Sequence, residues 1–165
     1  GYTNEKYGSG DWIENFSNEQ LFLNHQLIKE KGLDLAAMQR EIADFLLRFD
    51  GIKETYTADD MKRLEYTRGR KNLLQMGYNH KASGDVLLIL DAAWLTNSTR
   101  GTTHGTGYTY DTNVPIVFYG WNITPGFSTR YATVTDIAPT LAMLLHTRLP
   151  NGATGQPIGE IFGSE

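Results

Sequence analysis

The first half of the chain carries apolar patterns that predict strands alternating with helices. Asn18 to Leu23 mixes polar and apolar residues and is interpreted as a strand. Asp34 is a good N-cap, and the apolar residues from Leu35 to Phe49 recur at three- and four-residue steps until Gly51. This segment is therefore the clearest predicted helix.

A second strand and helix follow directly. Ile52 to Tyr56 is predicted as a short strand, and Thr57 with Asp60 three residues later resembles a capping box that opens a helix through Leu64. Leu73 to Gly77 predicts one or two helical turns, and the apolar run Val86 to Leu90 predicts a buried strand. The pattern favours a small α+β, ferredoxin-like sandwich.

The second half changes in composition. Asp91 to Asp111 is rich in threonine and glycine, which predicts a long loop, and loops of this length in compact chains are often functional. Val114 to Tyr119 is predicted as a third apolar strand. A last helix is capped by Thr135 or Asp136, with Pro139 in its first turn. Its predicted buried stripe is Ile137, Leu141, Leu144 and Leu145.

Composition narrows the classes of protein that fit. A chain of 165 residues with 40% hydrophobic residues has the size and core of a folded domain. Its 15 Lys and Arg against 19 Asp and Glu give a net charge of −4, which argues against a nucleic-acid partner. The densest basic run, Arg68 to Lys71, is interpreted as a solvated face, with a phosphate or polyanion site as the alternative.

Two absences limit the chemistry further. The chain has no cysteine, so any zinc would be held by histidines and carboxylates. The longest uncharged apolar stretch, Val86 to Leu90, is far shorter than the ~20 residues that cross a bilayer, so no membrane partner is expected.

His104 is the one histidine with a suggestive setting. It lies between glycines, in a loop that leads into a predicted strand, and glycines there let the backbone approach a ligand closely. Taken alone, however, a single histidine in such a loop is more often a surface residue than a metal ligand. His25 and His80 are expected to be solvated, and His146 is expected in the last turn of its helix. No pair of histidines has the spacing of a metal-ligand pair, and no complete active site is visible.

The segments RGTTHGTGYTYDTNVPIVFYG, WNITPG and TVTDIAPTLAMLLHTRLPNGATGQPI resemble the C-terminal part of the alkaline phosphatase superfamily. The closest likeness is to the bacterial branch grouped with type I phosphodiesterases and nucleotide pyrophosphatases. EQLFLN, FDGIKETYTADD and SGDVLLIL look like the same branch, so the resemblance covers most of the chain. Asn113, where the family often has a second histidine, and LDAAW, in place of a Glu-Pro-Gly-Trp run, depart from the pattern.

The resemblance implies a zinc-dependent phosphatase or phosphodiesterase that cleaves phosphate esters through a covalent phosphoenzyme. Such enzymes hold two zinc ions and use a Thr or Ser nucleophile. His104 then corresponds to the third ligand of one zinc. The Asp-x-x-x-His pair, the Asp-His dipeptide and the nucleophile are absent from this chain. We therefore expect a C-terminal fragment that is inactive alone, binds zinc weakly and self-associates. The resemblance further implies that the parent enzyme is periplasmic or secreted.

The predicted organisation has three parts: a lead-in (residues 1–17), a ferredoxin-like α+β subdomain (18–91), and a C-terminal segment of the alkaline-phosphatase-like core with the THG metal loop (92–165). The fold class is α/β, as an α+β fragment of that core. A stand-alone ferredoxin-like binding module and a fragment of a sulfatase or phosphomutase of the same superfamily are the alternatives. The gene sequence upstream of Gly1 would distinguish among these three hypotheses.

Overall fold

A computed structural model describes residues 1–95, 104–120 and 122–162. The chain forms two compact units, Gly1–Asn113 (unit 1) and Val114–Glu165 (unit 2), and each is described by itself. The strands are β1 (Ile13–Ser17), β2 (Gln20–Leu23), β3 (Ile52–Thr57) and β4 (Val86–Leu90). The helices are α1 (Tyr2–Tyr7), α2 (His25–Glu30), α3 (Leu35–Leu46), α4 (Ala58–Arg63), α5 (Gly69–Gly77), α6 (Thr109–Thr112) and α7 (Ile137–Leu144).

Unit 1 is built on a four-stranded antiparallel sheet in the order β1-β2-β4-β3. In β4, Val86 and Leu88 belong to one buried cluster, whereas Leu87 and Ile89 belong to a second. Successive side chains of a strand point to opposite faces, so both faces of β4 are covered. This double burial explains why the strand reads as an uninterrupted apolar run, and it confirms the prediction for Val86 to Leu90.

The larger of the two clusters contains Trp12, which is 1% exposed, and Met38 and Ile42 from α3. The smaller cluster contains Tyr56 and Met61. Helices and an antiparallel sheet thus share the core of unit 1, and the predicted mixed α+β class is confirmed.

Local capping signals fix two of the helices. The side chain of Asp34 accepts a hydrogen bond from the Ala37 N–H at 2.7 Å, as predicted for the start of α3. Thr57 and Asp60 form the predicted capping box of α4, with both reciprocal bonds at 3.0 Å. The helix α3 ends at Leu46, before Phe49, which is exposed.

Some elements differ from the sequence prediction. Residues 1–17, interpreted as a lead-in, contain α1 and β1, and β1 pairs with β2. The strand predicted at Val114 to Tyr119 is wrong, because no described residue pairs with it and the Val117 and Tyr119 side chains are almost fully exposed. The predicted domain boundaries stay a prediction.

Unit 2 contains α7 and two short 3₁₀ helices, Val134–Asp136 and Gly159–Phe162. Pro139 lies in the first turn of α7, as predicted. Asp136 occupies the N-cap position but makes no side-chain cap bond to α7, because its carboxylate belongs to the capping box that Thr133 forms at the preceding 3₁₀ helix. The predicted buried stripe is wrong: Leu141 and Leu145 are exposed, whereas Pro139, Thr140 and Ala142 are buried. Periodicity identified the helix, but the face that it buries depends on neighbours that the pattern does not specify.

Candidate metal-binding loop

His104 lies on an exposed loop that precedes α6. Gly105 follows it with φ of +104°, a backbone conformation that glycine adopts without the strain a Cβ atom would introduce. The glycine after the histidine therefore has a physical role in setting the turn. The imidazole is placed at the protein surface, where a ligand could reach it.

The Asp111 side chain closes this loop. Its Oδ2 accepts hydrogen bonds from the Thr106 hydroxyl at 2.6 Å and from the Thr106 N–H at 3.0 Å. The bond from the hydroxyl lowers the pKa of Asp111 most, followed by the bond from the N–H, and the positive charge of protonated His104 lowers it further. Asp111 is therefore an ionised carboxylate in the electrostatic neighbourhood of the His104 imidazole.

Two tyrosines attach the far end of the loop to the sheet. The Tyr108 hydroxyl donates to the Leu90 carbonyl oxygen at 2.9 Å, and the Tyr110 hydroxyl accepts from the Ala93 N–H at 3.2 Å. The two rings stack with centroids 5.4 Å apart and an angle of 7° between their planes. Because Leu90 is the last residue of β4, these contacts fix the residues after His104 against a buried strand.

The residues present supply part of a metal site. Zinc binds imidazole nitrogen and carboxylate oxygen, and a catalytic zinc has about three protein ligands. Within residues 1–95, 104–120 and 122–162, no three His, Cys, Asp or Glu side chains converge so as to hold a metal. His104 is thus a chemically suitable single donor, and its assignment as a ligand stays a prediction.

The other histidines are placed differently from one another. His80 is exposed in a turn, as expected. His146 lies beyond the C-cap residue of α7 with φ of +52°, so it is outside the helix in which it was predicted. His25 is exposed, as predicted, and its Nε2 also lies 2.7 Å from Oδ1 of the buried Asp85.

Asp85 is the centre of a polar cluster that the sequence analysis missed. It is 6% exposed and accepts hydrogen bonds from the Leu23 N–H and from Gln39 Nε2, both at 2.8 Å, in addition to its contact with His25. A buried carboxylate needs such partners, since an unpaired one is very costly. The cluster joins β2, α2 and α3 to the residue before β4. The only signal in the sequence is an acidic residue immediately before a buried strand.

The TDIAPT segment forms a second polar network, in unit 2. Asp136 accepts from the N–H groups of Thr133 and Gln156, both at 2.8 Å, and these bonds lower its pKa. The buried Thr140 hydroxyl donates to the Asp136 carbonyl oxygen at 2.5 Å and accepts from the Ile158 N–H at 2.9 Å. The segment therefore ties the start of α7 to the tail of the chain.

A comparison with solved structures decides the family. The structure matches the crystal structure of wild-type alkaline phosphatase PafA with a TM-score of 0.87 and 30% sequence identity, over 98% of this chain. This chain belongs to the alkaline phosphatase superfamily. The resemblance seen in the sequence is thereby confirmed, and so is the mixed α+β fold within it. A crystal structure of a PafA mutant matches equally well.

Curated relatives agree with this superfamily assignment. The chain is 35% identical to alkaline phosphatase PhoV of Synechococcus elongatus over 88% of its length, and 31% identical to alkaline phosphatase PafA of Elizabethkingia meningoseptica over 96%. It is also 34% identical, over 94%, to a Myroides odoratus protein named calcium-transporting ATPase. No protein-family profile matches the chain.

The matches cover a limited part of the relatives. The chain spans 26% of PhoV, and 29% of PafA and of the Myroides odoratus protein. Among the described residues, no helix is both long and apolar enough to cross a bilayer.

Proposed function

We propose that this chain is part of a zinc-dependent enzyme that hydrolyses phosphate esters, and that His104 is one of its metal ligands. The match to alkaline phosphatase PafA over nearly the whole chain is the observation that supports this function best. Because the chain spans under a third of that relative, the remaining ligands and the nucleophile are assigned to other parts of the enzyme.

Three side chains of the loop have different proposed roles in the metal site. His104 would hold the metal through a ring nitrogen, and the nearby Asp111 carboxylate would favour the imidazole electrostatically, as carboxylates commonly do for metal-bound histidines. Thr106 holds Asp111 through its hydroxyl and N–H. A bound zinc would supply Lewis-acid stabilisation of the developing negative charge and would lower the pKa of a coordinated hydroxyl.

The family resemblance makes this proposal more specific in three respects. The complete enzyme would bind two zinc ions, would form a covalent phosphoenzyme on a Thr or Ser hydroxyl, and would be located in the periplasm or secreted. The proposed substrate is a phosphate ester, either a monoester or a diester. Cell fractionation followed by detection with an antibody to the protein tests the location. Finding the protein in the cytoplasmic fraction would contradict it.

Isothermal titration of zinc into this chain tests the ligand assignment. A single imidazole cannot hold zinc tightly, so we expect weak binding that His104→Ala removes. His80→Ala is the matched control, since His80 is also exposed in a turn, and it should leave the zinc heat unchanged. Submicromolar, stoichiometric binding that survives His104→Ala would overturn the assignment.

A further inference from the structure

The basic run Arg68 to Lys71 lines a cavity in unit 1. The cavity has a volume of about 700 Å³ and is formed by the start of α5, Glu54 of β3, and residues 107–109 and 112. Volumes of 300–1,000 Å³ are typical of sites for small molecules. Arg68 and Lys71 are exposed, as the solvated-face interpretation predicts, and the cavity that they line is open to solvent.

Arg70 is held in the wall of the cavity by contacts on two sides. Its Nη2 donates to Glu54 Oε1 at 2.6 Å, and its guanidinium carbon lies 4.7 Å from the centre of the Tyr108 ring. Its Nε is buried and has no hydrogen-bond partner among the residues that the structure describes.

The charge of the cavity favours an anion. Three cationic side chains, Arg68, Arg70 and Lys71, line it against the single carboxylate of Glu54, an excess of two positive charges. The Tyr56 hydroxyl, and then Arg70, lower the pKa of Glu54, so it counts as a full negative charge at neutral pH. Among the described residues, neither Arg68 nor Lys71 forms an ion pair. This local excess stands out in a chain of net charge −4.

The remaining lining suits a tetrahedral oxyanion. Thr109 and Thr112 offer hydroxyl donors, Gly69 has open space where a Cβ would stand, and Gly107 packs against the aliphatic stem of Arg70. Arginine forms strong, directional hydrogen bonds with phosphoryl oxygens, and lysine adds a compact charge. We propose that this cavity binds a phosphoryl anion, the chemistry shared by inorganic phosphate and phosphate esters, through Arg68, Arg70 and Lys71.

The cavity is lined in part by the loop that carries the candidate metal ligand, with Gly107 three positions after His104. Neither His104 nor Asp111 lines the cavity, and no metal is needed for the binding described. The test can therefore be performed with a chelator present, and its result is independent of whether His104 binds zinc.

Amide chemical shifts in two-dimensional NMR provide the test. Inorganic phosphate is titrated into the chain to about 10 mM, in EDTA and at constant ionic strength, and phenylphosphonate is titrated in parallel. We expect saturable shifts confined to residues 69–71 and 107–112. The double variant R68Q/K71Q should raise the dissociation constant at least about tenfold, because two charge-assisted contacts are lost. Arg70 is left intact, since its contacts with Glu54 and Tyr108 support the fold.

The variant K29Q/K31Q is the matched control, because it removes the same charge from an exposed region. It should bind phosphate as the parent chain does. Tighter binding of phenylphosphonate than of phosphate would assign the site to esters, and equal binding would assign it to the free anion. Absence of saturable shifts, or equal weakening by both double variants in well-dispersed spectra, would overturn the proposal.

Discussion

Units 1 and 2 bury apolar surface to very different extents. Of the described apolar side chains that are buried, unit 2 contributes Ala142 and the fully buried Pro139, and unit 1 contributes the rest. Unit 2 in turn exposes ten large apolar side chains: Val114, Val117, Tyr119, Phe127, Tyr131, Val134, Leu141, Met143, Leu145 and Leu149. The predicted exposure of apolar surface in this part of the chain is confirmed.

This difference in burial shows that the two units are stabilised by different kinds of interaction. Unit 1 has a hydrophobic core on both faces of β4, and burial of that core is its main source of stability. The order in unit 2 depends more on the hydrogen bonds of Asp136 and Thr140. Unit 2 therefore leaves most of its large apolar side chains exposed, as expected of a segment that packs against further parts of an enzyme.

The largest expected effect comes from the core of unit 1. Trp12→Ala should lower the free energy of unfolding by about 3–5 kcal/mol, because it leaves a cavity and removes the indole N–H bond to the Gly8 carbonyl oxygen. Leu145→Ala in unit 2 is the control and should change it by less than about 0.5 kcal/mol, as its side chain is 66% exposed. Urea denaturation followed by circular dichroism measures both. Equal losses would contradict the contrast between the units.

A smaller effect is expected from the polar network of unit 2. Thr140→Val leaves the Ile158 N–H without its acceptor and should cost about 1–3 kcal/mol locally. Hydrogen exchange should then be faster at the amides of α7 and at Ile158 and unchanged in β4. Thr129→Val, at an exposed position, is the control. Unchanged protection of α7 in Thr140→Val would show that the hydroxyl does not hold unit 2 together.

Sequence patterns predicted elements whose causes are local. The caps at Asp34 and Thr57 and the run Val86 to Leu90 were correct, because a cap needs only the next turn and a doubly buried strand must be apolar. The strand β1 was missed because all of its residues are exposed, so it shows no apolar alternation.

Features that depend on distant partners were predicted less well. Val114 to Tyr119 has the composition of a strand, but a strand also needs a neighbour to pair its backbone groups. The Asp85 cluster unites residues up to 62 positions apart, and Arg70 meets Tyr108 across 38 positions, so neither contact shows as a spacing. For His104, the family resemblance rather than any spacing pointed to a metal.

The smallest effect concerns the His104 loop within unit 1. The pKa of Asp111 is depressed in the folded chain, so the loop contact is complete above the ordinary pKa of an aspartate and is lost as the pH falls through the depressed value. Thr106→Ala should raise the pKa of Asp111 toward its ordinary value, and His104→Ala should raise it less. Carbon-13 NMR of the Asp111 carboxyl group measures both. An unchanged pKa in Thr106→Ala would contradict the hydrogen bonding that closes the loop.

The zinc content of the full-length gene product tests the central claim most directly. The complete enzyme, purified without chelator, is compared with its His104→Ala and His80→Ala variants by metal analysis and by hydrolysis of a chromogenic phosphate ester. We predict that His104→Ala loses zinc and most of its activity, whereas His80→Ala retains both. Full zinc content and full activity in His104→Ala would contradict the account.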